Sequence, residues 1–393
     1  MGEDIGVTHS AVTFLERYAK ELSIPVRVVY AHPGKPVVIM TLEGSQPELP
    51  SLFLYSHIDV GPVFPDKWSR DPFAAEKDEA GNIYARGAQD MKCVGVQYME
   101  ALRRLKATRG SFRRTVHIVW GPEEEVLGKL GMAKFVASKE FEELNVGFAL
   151  DEGLASEDDV YRVYSAERSA WWIRVACKGS PGHGSKFIPN TPGPKIQKVV
   201  TSFLELRNSE EARLAADKSL TIGDVVTGGV QTNVIPAELA AYFDVRVPPT
   251  YDHKASSASL FLFLLRLTTG LQQALIAKLE GFCTAAGPDV SLEFDSYYFI
   301  PTVTRTDESS GWWRAFKATA EELKMELKVE TFTGGTDARF LRQRGIEALG
   351  FSPMIKTPIL LHDHDEFLNE AVFLQGIQIY AKLIPALANV LPS

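Results

Sequence analysis

The chain has 393 residues, 45% of them apolar and 23% charged, with a formal net charge of −8. That length exceeds one ordinary hydrophobic core, so two domains are expected. The acidic balance argues against nucleic acid or an acidic membrane surface as partner, since both need a basic face.

In chain order, residues 25–30, 36–42 and 51–56 (PVRVVY, PVVIMTL, SLFLYS) are expected strands, and residues 92–107 have the apolar spacing of a helix. Strands follow at 114–120 (RTVHIVW) and 146–151 (VGFALD), with a helix near 130–139 between them. This alternation predicts an α/β domain, a mostly parallel sheet with helices on both faces. From about residue 166 the order changes. Residues 168–179, 195–208, 224–236, 238–249, a helical stretch and 289–294 read as β-α-β-β-α-β, an inserted ferredoxin-like α+β unit. The α/β pattern then resumes: a helix at 310–324, strands at 327–332 and 346–351 around a helix near 337–344, and a last helix from Glu366. The expected domains are a catalytic domain in two parts, 1–165 and 299–393, and an inserted domain, 166–298. Residues 256–275 fit less well. Their apolar run beside Arg266 is too short for a membrane span, which needs ~20 apolar residues, and suggests an interface patch.

The opening MGEDIGVTH is acidic and has no apolar run, so no signal peptide is expected. Cys93, Cys177 and Cys283 are too scattered for a disulfide framework or a cysteine zinc site. A reduced, cytoplasmic protein is the expectation.

His57, Asp90, Glu124, Glu125, Glu152 and His362 share one feature: most lie at the C-terminal end of an expected strand or in the loop after it. In an open α/β sheet those ends converge on one crevice, where ligands bind. Taken singly, each has an ordinary structural explanation: Asp90 an N-cap, Glu123–Glu125 a solvated run, Glu152 a turn. Together, two imidazoles and several carboxylates suit two adjacent divalent ions with one bridging carboxylate. Zinc accepts such a mixture of nitrogen and oxygen donors, whereas magnesium and calcium rarely take histidine. Asp59 lies two residues beyond His57 on the same side of an extended segment, so it can hold the ring's other N–H. His117, inside an apolar strand, reads as a core histidine.

The segments HIDVGP, YARGAQDMKCV, PEEEVLG, GFALDEG, ERSAWW, GHGSKF, NVIP, FDVRV and the closing TPILLHDHDEFLNEAVFLQGIQIY resemble the co-catalytic zinc exopeptidases, the family of aminoacylases, glutamate carboxypeptidases and desuccinylases. The resemblance runs over nearly the whole chain and is to the aminoacylases. It implies two Zn2+ per subunit, His57 and Glu152 on one, Glu125 and His362 on the other, with Asp90 bridging. The resemblance makes His362 rather than His364 the ligand, because it precedes Glu366 by four positions as in the family's terminal motif. Glu124 matches the family's general base. His183 matches a lid-domain histidine that reaches the neighbouring subunit's site, in a homodimer formed through the lid.

The implied reaction is hydrolysis of the amide bond of an N-acyl-L-amino acid. Its α-carboxylate needs a basic clamp, for which Arg246 and Arg339 are candidates, with Asn233 as a hydrogen-bonding partner. A dipeptidase or carboxypeptidase of the same family, or a metal-binding but inactive homologue with an altered lid, are the alternatives.

Overall fold

The structure, a computed structural model, describes residues 5–108, 112–211, 221–229, 231–249, 262–298, 300 and 302–392. It divides into two compact units, one formed by residues 1–166, 302–332 and 336–393, the other by 167–301 and 333–335.

The first unit opens with α1 (Ile5–Glu21), β1 (Val26–His32), β2 (Lys35–Leu42), β3 (Ser51–His57), β4 (Glu76–Lys77), β5 (Asn82–Tyr84) and α2 (Lys92–Thr108). It continues through β6 (Val116–Gly121), α3 (Met132–Phe135), α4 (Lys139–Glu142), β7 (Val146–Asp151) and β8 (Val160–Glu167). The second unit holds β9 (Ser169–Lys178), β10 (Gly182–His183), α5 (Pro192–Glu211), β11 (Thr221–Thr227), β12 (Val234–Ile235), β13 (Glu238–Val247), α6 (Leu262–Ala286) and β14 (Val290–Tyr297). The chain then adds α7 (Gly311–Glu322), β15 (Glu326–Phe332), α8 (Ala338–Gln343), β16 (Glu347–Gly350), β17 (Phe367–Asn369) and α9 (Glu370–Ala388).

The first unit is built on an eight-stranded sheet of order β1-β2-β6-β3-β7-β16-β8-β15. Its four central strands, β6, β3, β7 and β16, are parallel, and antiparallel strands flank them. β3 shows why the sheet is covered on both faces. All seven of its residues are buried. Successive side chains point to opposite faces, so Leu52 and Leu54 join Tyr98, Phe316 and Tyr380 in one core, while Phe53 and Tyr55 join Phe135, Phe141 and Leu341 in the other. Gly95 allows α2 to approach this sheet closely, because a Cβ there would lie 2.2 Å from the Trp120 ring.

The second unit is a four-stranded antiparallel sheet of order β11-β13-β9-β14, with Trp171, Ile173 and Val175 of β9 packed against Phe203 of α5 and Leu279 of α6. Phe203 stacks flat on Phe243, with ring centroids 3.7 Å apart.

Three expectations need adjustment. The helix near 130–139 is two short helices, the second started by the Ser138 side chain accepting from Phe141 N. The last helix begins at Glu370 rather than Glu366, because residues 367–369 pair with β5 and the Asn369 side chain caps the helix at Ala371 N. Of residues 256–275, those before 262 lie outside the described residues; the rest form the N-terminal half of α6, and Leu275 is buried in the second unit's core. The three cysteines are free and buried.

Candidate metal centre

β3 ends in His57, β6 runs into the 122–128 loop, and β7 is followed at once by Glu152. Because these strands are parallel neighbours, their ends lie side by side. Asp90 lies two residues before α2, and His362 sits in the segment ahead of β17 with its backbone at φ 62°, in the left-handed region. All of these residues belong to the first unit.

Asp90 faces two imidazoles with its two oxygens. His57 Nε2 is 2.9 Å from Asp90 Oδ1, and His362 Nε2 is 3.1 Å from Asp90 Oδ2. Glu152 Oε2 lies 3.8 Å from His57 Nε2, and Glu125 Oε2 lies 2.8 Å from His362 Nε2. Donor atoms of His57, Glu124 and Glu152 lie within 4.8 Å of one another, as do those of His57, Asp90 and Glu125.

The charges explain one another. Burial raises the Glu152 carboxyl well above its ordinary range, with the Asp90 charge adding to it, and burial raises Glu124, with Glu152 adding to that. Asp90 is held far below its range, despite burial, by His362 and His57. Hydrogen bonds to Asp90 and Glu125 push His362 up to about 10. So many buried acceptors converging beside two imidazoles form a donor set suited to cations. Glu125 Oε1 is buried with no hydrogen-bond partner among the described residues. At Gly61 a Cβ would come within 3.0 Å of the His362 ring and 3.3 Å of that same oxygen, so the space beside them depends on glycine. The residues present fit a pair of metal ions.

Asp59 faces His57 with its carboxylate as well as its main chain, Oδ1 lying 3.6 Å from the ring's Nδ1. The ring's Nδ1 is closer to the Asp59 backbone carbonyl, at 3.1 Å, and the Asp59 carboxylate also accepts from the N–H groups of Glu124 and Glu125. Arg339 is buried rather than solvent-facing. Its guanidinium donates to the carbonyls of Thr336 (2.5 Å) and Leu127 (2.8 Å), and Nη1 lies 3.8 Å from Glu124 Oε1. Behind it, Asp337 accepts from the Tyr55 hydroxyl at 2.5 Å.

Three candidates lie in the second unit. His183 is exposed on β10, with Nδ1 2.7 Å from the Ser185 hydroxyl. Arg246 is engaged by both oxygens of Asp244, at 2.7 and 2.8 Å. Asn233 is exposed, and its backbone carbonyl accepts from Gly184 N. His117 is a core histidine between Thr41 Oγ1 and Leu144 O.

Sequence reasoning missed Glu366. It is fully buried, pairs with Arg86, and accepts from backbone N–H groups leading into Asp90. The sequence marks it only as the start of the final helix and as the landmark that singles out His362.

Parallel strand ends that converge on two imidazoles and four carboxylates, with one carboxylate reaching both rings, define a dinuclear metallohydrolase centre. A family profile described as Peptidase family M20/M25/M40 matches residues 53–386, and the chain belongs to that family. It is 47% identical to Aminoacylase-1 of Pongo abelii and 46% identical to that of Homo sapiens, in each case over 98% of this chain and 92% of the relative. Aminoacylase-1 of Dictyostelium discoideum is 39% identical over 97% of this chain and 92% of its own length. The chain is a metal-dependent amidohydrolase.

Among solved structures, an M20 family metallo-carboxypeptidase from Sulfolobus solfataricus matches with TM-score 0.74 at 18% identity, covering 98% of this chain and 95% of the other. A dinuclear metal-binding M20 peptidase from Bacillus subtilis matches with TM-score 0.63 at 17% identity, over 97% and 93%. Human carnosine dipeptidase 1 matches with TM-score 0.65 at 15% identity, over 96% and 90%. At such identities these likenesses show the shared fold.

Proposed function

We propose that this enzyme hydrolyses N-acyl-L-amino acids to a carboxylate and a free L-amino acid, with two zinc ions at the centre described above. The observation that carries the reading is Asp90, whose two oxygens face His57 and His362 at 2.9 and 3.1 Å. His57 and Glu152 would hold one ion, Glu125 and His362 the other, and Asp90 both. When bound, the ions would supply a water acidified toward neutrality and polarisation of the acyl carbonyl.

The chain's own residues do the rest. Glu124 takes the proton of the attacking water and returns it to the departing amine. Burial, with the Glu152 charge, pushes its carboxyl up, the direction that suits a shuttle working near neutral pH. Asp59 fixes the backbone at Glu124 and Glu125, and Arg339, tethered to two carbonyls beside Glu124, orients that base. A buried guanidinium so engaged suits this better than capture of the substrate carboxylate. His183, exposed on the second unit, supports the oxyanion in the partner subunit of a homodimer. The free cysteines are consistent with a reduced cytoplasmic location.

The aminoacylase reading is favoured over a dipeptidase or carboxypeptidase because the relatives at 46–47% identity are aminoacylases, whereas the peptidase structures are 15–18% identical. The test is a panel of N-acetyl amino acids and dipeptides assayed before chelation, after it, and after zinc is restored. Zinc-dependent turnover confined to acyl amino acids is expected; turnover of dipeptides alone would overturn the assignment.

A further inference from the structure

Glu366 lies on the segment that carries His362, yet its side chain serves the loop that carries Asp90. Its Oε2 accepts from Arg86 Nη1 at 2.7 Å and Gly87 N at 3.2 Å; its Oε1 accepts from Gln89 N at 2.7 Å and Asp90 N at 3.3 Å. Four donors from five consecutive residues therefore converge on one fully buried carboxylate. The lock is reciprocal. Gln89 returns hydrogen bonds to the opposite segment, its Nε2 donating to the carbonyls of Pro358 (3.0 Å) and Phe367 (2.8 Å) and its Oε1 accepting from Leu360 N at 3.1 Å. Two stretches more than 260 residues apart in sequence are thereby held in one register.

We propose that Glu366 is a positioning residue for the metal centre, setting Asp90 so that its two oxygens face the two histidines. The physical reason is that a bridging carboxylate must satisfy two ions at once. An error in its backbone position therefore weakens both, and the far ligand, His362, moves with the same segment as Glu366. A neutral amide in place of the Glu366 carboxylate keeps the shape but turns an NH2 group toward donors that have nothing to accept it, so the 86–90 loop must shift. Groups that orient metal ligands typically govern affinity by ~10–100-fold. The proposal rests on the two-ion reading of the site, and its test separates the two.

Full-length wild-type and Glu366→Gln chains, stripped with a chelator, would be titrated with Zn2+ in competition with a chromophoric chelator. Thermal unfolding of each metal-free chain would be recorded in parallel. The wild type should take two ions; failure there overturns the two-ion reading and says nothing against the lock itself. If the wild type takes two, Glu366→Gln should bind them ~10–100-fold more weakly. Gln89→Ala should follow in the same direction with a smaller loss, and supplies the test if Glu366→Gln does not yield folded protein. Glu370→Gln, which breaks an exposed pair with Lys77 on the same stretch, should leave affinity unchanged. Folded Glu366→Gln and Gln89→Ala chains that bind both ions as tightly as wild type, with only a lower melting temperature, would overturn the proposal.

Discussion

His57 turns its Nδ1 to the backbone carbonyl of Asp59, 3.1 Å away, while the Asp59 carboxylate accepts from the N–H groups of Glu124, at 3.2 Å, and Glu125, at 3.1 Å. One residue thus serves two elements, the end of β3 through its main chain, with its carboxylate 3.6 Å from the ring, and the loop after β6 through its side chain. Asp59→Asn keeps the carbonyl and spoils one of the two side-chain acceptors. It should retain both metal ions yet lose about 100-fold in kcat, the scale of a small misplacement of catalytic groups. Metal analysis of the purified variant checks this, and loss of one ion would show that the carboxylate itself holds His57.

Glu124→Gln should keep both ions and lose roughly 10²–10⁴-fold in turnover, because it removes the proton shuttle and no ligand. Glu125→Gln should instead lose metal. If the metal contents of the two variants are reversed, the roles of these neighbours are exchanged.

Arg339→Lys separates support of the base from capture of substrate. Lysine keeps the charge but cannot hold two carbonyls in a planar fork. A fall in kcat with KM nearly constant is expected, of similar size for an acyl amino acid and for its carboxamide analogue. A rise in KM confined to the free carboxylate would return Arg339 to the role of clamp.

His117 predicts a pH dependence. Burial lowers its pKa to about 4 in the folded chain, against ~6.5 when unfolded. The folded state therefore holds the ring neutral. The contribution is fully present above pH ~6.5 and is lost as pH falls toward about 4, amounting to about 3 kcal/mol. Urea unfolding of wild type and His117→Asn across that window should show a shallower acid loss in the variant. Parallel curves would contradict the assignment.

The α/β frame was legible because period-two and period-3.6 apolar patterns were strong, as in residues 51–56 and 92–107. The metal centre was legible because His57 ends a strand and Glu125 and Glu152 follow strands, and strand ends are where an α/β sheet gathers its ligands. What escaped were contacts with no local signature. Nothing in the sequence marks Arg339 as buried beside Glu124, since that depends on where the 336–339 turn meets Leu127. The start of the last helix was misplaced because Phe367–Asn369 reads as helix until β5 offers it a ladder.

If each active site takes His183 from its partner, Glu124→Ala and His183→Ala homodimers should both be nearly inactive. Random mixing makes half of the dimers hybrid, each with one intact site, so about a quarter of wild-type activity should return. Mixed samples that stay inactive despite demonstrated subunit exchange would rule out catalysis in trans.

Anomalous diffraction at the zinc absorption edge, recorded from crystals of the zinc-loaded protein, tests whether two zinc ions share Asp90. Two peaks are predicted in each subunit, one beside His57 and Glu152, the other beside Glu125 and His362, with the Asp90 carboxylate between them. A single peak, or two peaks that do not share Asp90, would contradict that arrangement.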